Sequence, residues 1–223
     1  MRQRQSIKAL YGSKQYLDAY AEHTDLRVAE DPQEAVGGLW DTLGLLQLDY
    51  LVANRLRPNH SLLDVGCGTL RAGRHFIRYL DAERYSGFEL SPKALDFART
   101  LIEREGLADK MPTLTLNKSR TLCFPELNNQ FDYLLAQSVF THLMPEHIEE
   151  CFSYVGKLMH EQSLFFFTFG ESAKLEQRSE KGFQQPFSFF EGLAATYGFS
   201  VERRNDYDHP RGQIMALLSR PPR

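Results

Sequence analysis

Cysteine is scarce in this sequence: Cys67, Cys123 and Cys151 are odd in number, scattered, and form no CxxC pair. That pattern excludes a disulfide framework and signals no metal site, so the three read as small buried thiols. A basic excess is also missing. Lys and Arg total 26 against 29 Asp and Glu, a formal net charge of -3, whereas tight binding to long nucleic acid usually requires the opposite balance. No apolar run approaches the roughly 18 residues that span a bilayer. The opening "MRQRQSIKAL" carries charge without an apolar h-region, as a secretory leader would need. The expected setting is cytoplasmic and the expected partner a small or medium-sized molecule, with no nucleic acid and no membrane. Internal repeats and low-complexity tracts are absent as well.

What is present is an alternation. From Ser61 onward short apolar runs alternate with segments of helical period, the pattern of an α/β protein with a mostly parallel sheet. "SLLDV", "RYSGFEL", "TLTLN", "FDYLLAQ" and "SLFFFTF" read as five strands, and "SVERR" and "QIMALL" as a closing pair. Helices are expected from about Leu70 to Leu80, and from Ser91, an N-cap with Pro92 in the first turn, to Gly106. Two more are expected from Pro145, with Ile148, Cys151, Phe152, Val155 and Met159 in period, and from Phe187 to Tyr197, ending at Gly198. The polar stretch "ESAKLEQRSEKGFQQP" is long for a connection in a compact domain, which marks it as functional or mobile, a possible lid. Before Ser61, Tyr16 to Ala21 and Asp41 to Leu56 look helical, separated by the irregular turn "DPQEAVGG". With 42% hydrophobic residues in 223, one domain accounts for the chain: a helical cap over 1–60 and a core over 61–223.

The chemistry begins at "SLLDVGCGTLRAGRHF". A strand, a glycine turn and a helix build a nucleotide-binding corner, where glycine lets the backbone approach a ligand. A dinucleotide calls for G-x-G-x-x-G with pyrophosphate on the helix N-terminus. Gly66 and Gly68 match, but Arg71 holds the third position, and the charge of Asp64 just before the turn opposes a phosphate. A cationic, phosphate-free ligand such as S-adenosylmethionine, with its sulfonium and α-amino group, is attracted by that carboxylate. Glu89, closing the second strand, suits ribose hydroxyls in either cofactor, so the choice rests on Asp64 and Arg71.

The segments "LLDVGCGTLRAGRHF", "YSGFELS" and "FDYLLAQSVFTHL" resemble the cofactor motifs of class I S-adenosylmethionine-dependent methyltransferases, over about Ser61 to Gly170. "GGLWDTLGLLQLDYL" and "DHPRGQIMALL" are similar to those of a bacterial subset whose first motif reads GCGxLRxGR. The resemblance implies a Rossmann-like, seven-stranded, mostly parallel sheet with the last strand antiparallel and helices on both faces. It implies S-adenosylmethionine as cofactor and S-adenosylhomocysteine as product. It also implies Asp64, Gly66 and Gly68 at the methionine moiety, Cys67 among the cofactor-binding residues, Glu89 at the ribose, Leu90 at the adenine, and Gln137 and Ser138 beside the methyl donor. Where the family often has an acid for the adenine amino group this chain has "NKSR", with Asn117 and Ser119 as candidates. "HEQS" stands where paired glycines are common.

Methyl transfer from a sulfonium is an in-line displacement in which alignment does much of the work, and a base is needed only for a protonated nucleophile such as a hydroxyl. His142, after the fourth strand on the ligand side of the sheet, is the first candidate base; the alternative is a histidine that structurally satisfies the start of the next helix. His209 and Arg211 in "DYDHPRGQ" are candidates to face the acceptor, or residues of a solvated turn. Glu171 is a third candidate base. Phe183, Phe187, Phe189 and Phe190 read as core and lid packing, or as the lining of an apolar acceptor pocket. The expected activity is methylation of a small or medium-sized metabolite at a hydroxyl oxygen. N-methylation of a small molecule or peptide is the alternative. A nucleic-acid methyltransferase is disfavoured by "AQSVFT" after the fourth strand, a nicotinamide-dependent reductase by Asp64 and Arg71, and a non-catalytic partner by the intact glycines and acids.

Overall fold

In the computed structural model, residues 2–221 are described, with side chains at Ile7 and from Ala9 onward. Four helices precede the first strand: α1 (Arg2–Ser13), α2 (Tyr16–Glu30), α3 (Pro32–Ala35) and α4 (Trp40–Ala53). Then come β1 (Leu62–Val65), α5 (Gly73–Tyr79), β2 (Tyr85–Glu89), α6 (Pro92–Arg104), β3 (Thr113–Leu116), β4 (Phe131–Ala136), α7 (Pro145–Val155) and β5 (Met159–Phe169). A hairpin of β6 (Glu176–Ser179) and β7 (Gly182–Gln184), α8 (Phe187–Tyr197), β8 (Ser200–Arg204) and β9 (Ile214–Ser219) complete the order.

Seven strands form one sheet in the order β3-β2-β1-β4-β5-β9-β8. The pairs among β1 to β5 are parallel, and β9 runs antiparallel to both its neighbours. This is the Rossmann-like sheet expected from the sequence, with its last strand reversed. Apolar residues alternate between two faces, as a pleated strand requires. Leu63, Val65, Leu134, Phe165 and Phe167 pack with Ile148 and Phe152 of α7 and Phe190 of α8. Leu62, Leu135 and Phe166 pack on the other face with Leu51 of α4, Phe76 of α5 and Leu95 of α6. Both faces of β1 are therefore covered, and all four of its residues are buried, as a central parallel strand demands.

Element boundaries differ from the sequence reading where tertiary contacts decide them. Helix α5 starts at Gly73 rather than near Leu70, because Leu70 is left-handed at φ 65° and prolongs the glycine turn. Helix α2 continues to Glu30, well past Ala21, with His23 and Val28 buried beneath it. Met159 opens β5 instead of closing α7, so "HEQS" lies inside a strand. The Ser91 cap holds as read: its Oγ accepts from Ala94 N–H at 3.0 Å, with Pro92 in the first turn. The polar stretch folds as the β6–β7 hairpin. Among the described residues no helix is long and apolar enough to cross a membrane.

Candidate active site

The strand order reverses direction between β1 and β4, and crevices at such switch points, outside the carboxyl ends of the strands, are where open α/β sheets take ligands. A cavity of about 1090 Å³ opens there. Its floor is the β1–α5 turn and the ends of β2 and β4. Its roof comes from α2, the loop after α3, the β6–β7 hairpin and the β8–β9 connection.

The floor is built on two glycines. Gly66 (φ 71°) and Gly68 (φ 55°) are left-handed, a region that penalises a Cβ. Space forbids one too: a Cβ on Gly66 would lie 2.6 Å from Val139 Cγ2, and one on Gly68 the same distance from Val36 Cγ1. Beneath them Asp64 is buried, its Oδ2 accepting from the Tyr85 hydroxyl at 2.8 Å. Burial raises its pKa to about 7, against the opposing pull of the Tyr85 hydrogen bond. Glu89 is held by backbone: Oε2 accepts from Gly68 N–H at 3.0 Å, and Oε1 from Leu90 and Ser91 N–H at 2.8 Å each. Burial pushes its pKa upward, and the three N–H groups pull it back. Cys67 lines the turn through its backbone; its buried thiol sits where a Cβ on Gly87 would come within 2.7 Å.

At the end of β4, Ser138 adopts φ 59°, a strained value for a residue with a side chain. Thr168 Oγ1 accepts from Ser138 N–H at 2.7 Å, and Ser138 Oγ donates to Gln213 Oε1 at 3.0 Å. Gln137 Oε1 accepts from the Tyr207 hydroxyl at 2.8 Å. Both residues line the cavity, as do Leu90 and Asn117. Ser119 does not: its hydroxyl is committed to Asn117 Oδ1 and Thr121 Oγ1, both at 3.1 Å, outside the cavity wall. Of the two candidates only Asn117 lines the cavity; its amide donates to Thr121 O and its side chain is buried.

The three candidate bases separate cleanly. His142 lines the cavity, and its Nδ1 lies 2.6 Å from the Lys181 carbonyl. A carbonyl only accepts, so Nδ1 carries the proton and Nε2 keeps its lone pair. Burial lowers the pKa of this ring to about 4, which keeps it neutral. His209 has the opposite tautomer: Nδ1 accepts from Arg211 N–H at 3.1 Å, so Nε2 bears the hydrogen, and that buried N–H has no partner. It is a donor rather than a base. Glu171 is gripped by Arg203 through Nε at 3.0 Å and Nη2 at 2.8 Å, which holds its pKa below the ordinary carboxylate range. Glu171 lines the cavity with both carboxylate oxygens occupied by Arg203.

Arg71, noted in the sequence only for displacing a glycine, is a buried cation of the cavity wall. Its Nη1 donates to Val36 O at 2.6 Å and Gly38 O at 3.2 Å, while its Nε is buried without a partner. Arg211 Nη2 donates to Gly37 O at 2.6 Å on the same loop. Sequence spacing held no signal for this, because the contacts join segments more than thirty positions apart. Tyr20, His23, Arg27 and Lys181 were likewise unforeseen. Among the described residues no group of three or more His, Cys, Asp or Glu is arranged to hold a metal ion.

The chain is similar to known proteins in one domain and in its fold. Residues 62–162 match the methyltransferase domain family. The magnesium protoporphyrin IX methyltransferase of Synechocystis PCC 6803, solved with bound S-adenosylmethionine, superposes with a TM-score of 0.71 at 16% identity, over 94% of this chain and 99% of that one. An S-adenosylmethionine-dependent methyltransferase from Clostridium acetobutylicum gives 0.63 at 12% identity over 88% and 98%. A glycopeptide N-methyltransferase complexed with S-adenosylhomocysteine gives 0.64 at 11% over 80% and 90%. Residues 62–162 thus carry a methyltransferase domain, and the chain as a whole has the fold of these enzymes. Its seven-stranded sheet is similar to that of the methyltransferase solved with bound S-adenosylmethionine.

Proposed function

We propose that this protein transfers a methyl group from S-adenosylmethionine to a hydroxyl oxygen of a small or medium-sized metabolite. The observation that carries the reading is Asp64: a carboxylate buried immediately before the glycine turn repels pyrophosphate and attracts a cationic ligand. The remaining residues fit the same ligand. Arg71, with a buried unpartnered Nε, and the unpartnered Nε2–H of His209 suit the α-carboxylate of the methionine moiety. Glu89, fixed by three backbone N–H groups, retains acceptor capacity for ribose hydroxyls. Leu90 and Asn117 border the space for adenine, and Gln137 and Ser138 the space beside the sulfur. This use of Arg71 supports placing the chain in the subset whose first motif reads GCGxLRxGR.

When bound, S-adenosylmethionine supplies an electrophilic methyl group on a sulfonium and departs as S-adenosylhomocysteine. The protein's part is alignment, exclusion of water and removal of one proton. His142 Nε2 takes the acceptor's hydroxyl proton, and the Lys181 carbonyl holds the tautomer that makes this possible. The helices of residues 1–60 close the site as a cap of the same domain. That reading is supported by the Tyr16 hydroxyl donating to His142 O at 2.6 Å and by Thr69 Oγ1 donating to Pro32 O at 2.9 Å.

A cocrystal with S-adenosylhomocysteine tests the assignment. The expected density puts the amino acid end between Asp64 and Arg71 and the ribose hydroxyls on Glu89. A ligand lying elsewhere, or reversed, overturns it.

A further inference from the structure

The cavity has two cationic poles. One is Arg71 with Arg211, of which Arg71 is already matched to the cofactor's carboxylate. The other lies on the side of His142 and has no counterpart in the cofactor. Helix α2 turns Tyr20, His23, Thr24 and Arg27 to the cavity at helical spacing, and the hairpin sets Lys181 opposite them. Lys181 Nζ sits 5.7 Å from the centre of the Tyr20 ring, while its backbone carbonyl is the group that orients His142.

Lys181 is half-buried, and among the described residues its ammonium makes no ion pair and no hydrogen bond. Burial and the neighbouring Arg27 guanidinium both press its pKa downward. Arg27 has Glu30 at 3.5 Å, on its solvent side, where both side chains are over two-fifths exposed. The nearby Glu180 carboxylate acts on His23 and Tyr11, and His23, buried and close to two cations, is held neutral with a pKa near 4. A cation such as Lys181 withdrawn from water without an anionic partner costs free energy that an anionic ligand restores. The lining of the same cavity includes Leu17, Leu143, Phe183 and Ile214, which suit an apolar body.

We infer that the methyl acceptor carries an anionic group, bound jointly by Lys181 and Arg27, which presents its hydroxyl to His142. The inference rests on the methyltransferase reading above and adds to it the charge of the substrate. Carboxylate and phosphate ester share the required chemistry.

The test is calorimetric titration of the protein saturated with S-adenosylhomocysteine. The probes are benzoate and indole-3-acetate, their carboxamides, and phenyl phosphate. At least one anionic probe is expected to bind about tenfold more tightly than its neutral counterpart, benzamide serving for phenyl phosphate. Lys181→Met and Arg27→Met are each expected to erase that preference while leaving S-adenosylhomocysteine affinity unchanged, which shows that the variants fold. A carboxylate preference and a phosphate preference both support the inference and identify the source. Equal binding of acids and neutral probes, no binding by any anionic probe, or an undiminished preference in Lys181→Met overturns it. Failure of S-adenosylhomocysteine itself to bind overturns the methyltransferase reading instead.

Discussion

The residue on which the account turns is Asp64. Its raised pKa, about 7, means that a large share of the free protein carries a proton there at neutral pH. A cationic α-amino group favours the ionised form, so binding below pH 7 must expel that proton. Affinity for S-adenosylhomocysteine should therefore fall as pH drops, by about tenfold per unit between about pH 6.5 and about pH 5. Asp64→Asn should bind weakly at every pH and lose this dependence; a flat profile in the unaltered protein contradicts the role. His142 carries the second prediction, measured with any acceptor the loaded protein binds. His142→Ala should cut turnover by about a hundredfold or more with cofactor affinity unchanged. In the proposed role the base is the neutral ring, and burial lowers its pKa to about 4. Its contribution to kcat/KM should thus persist through mildly acidic pH and fade only as pH falls through about 4. Unchanged turnover removes His142 and favours a nitrogen acceptor, which can arrive unprotonated. Residue types were legible in the sequence for Asp64, Glu89 and His142, because the strand ends that present them follow from local pattern. The tautomers of His142 and His209 were not, since each depends on a backbone group fixed only by the fold.

At the scale of elements, helix α6 shows what local pattern can specify. Ser91, Pro92, the buried Ala94, Leu95, Ala98, Leu101 and Ile102, and Gly106 at φ 64° set its start, its inward face and its end. Ser91 does more than cap: its Oγ also donates to Asp25 Oδ1 at 2.5 Å, which fastens α2 to α6. Ser91→Ala should lower stability by about 1–2 kcal/mol and Tm by about 2–8 °C, read by chemical and thermal unfolding. An unchanged Tm would show that the cap contributes nothing. The β6–β7 hairpin lacked a comparable signal. Three of the four β6 residues are exposed, and the hairpin's anchors include the remote bond from His142 to Lys181, thirty-nine positions apart. The full length of α2 escaped notice for a related reason: its cavity-facing residues, Tyr20, His23 and Arg27, are polar, so no apolar stripe marks them.

At the scale of the whole molecule, the sheet was the most legible feature. Parallel strands buried on both faces read as unbroken apolar runs, and the helical segments between them have nowhere to pack except against those faces. The closing pair β8 and β9 followed from the same reasoning. The roof of the cavity did not, because it is assembled from α2, the loop after α3, the hairpin and the β8–β9 connection, whose shared purpose appears only when they meet over one site. The central claim is that this site takes a phosphate-free, cationic methyl donor, and a single calorimetric comparison tests it. S-adenosylhomocysteine and NAD are titrated separately into the protein at about pH 8, where Asp64 is ionised. Saturable one-to-one binding of S-adenosylhomocysteine, with no heat from NAD, is the predicted result; binding of NAD without S-adenosylhomocysteine would contradict the account.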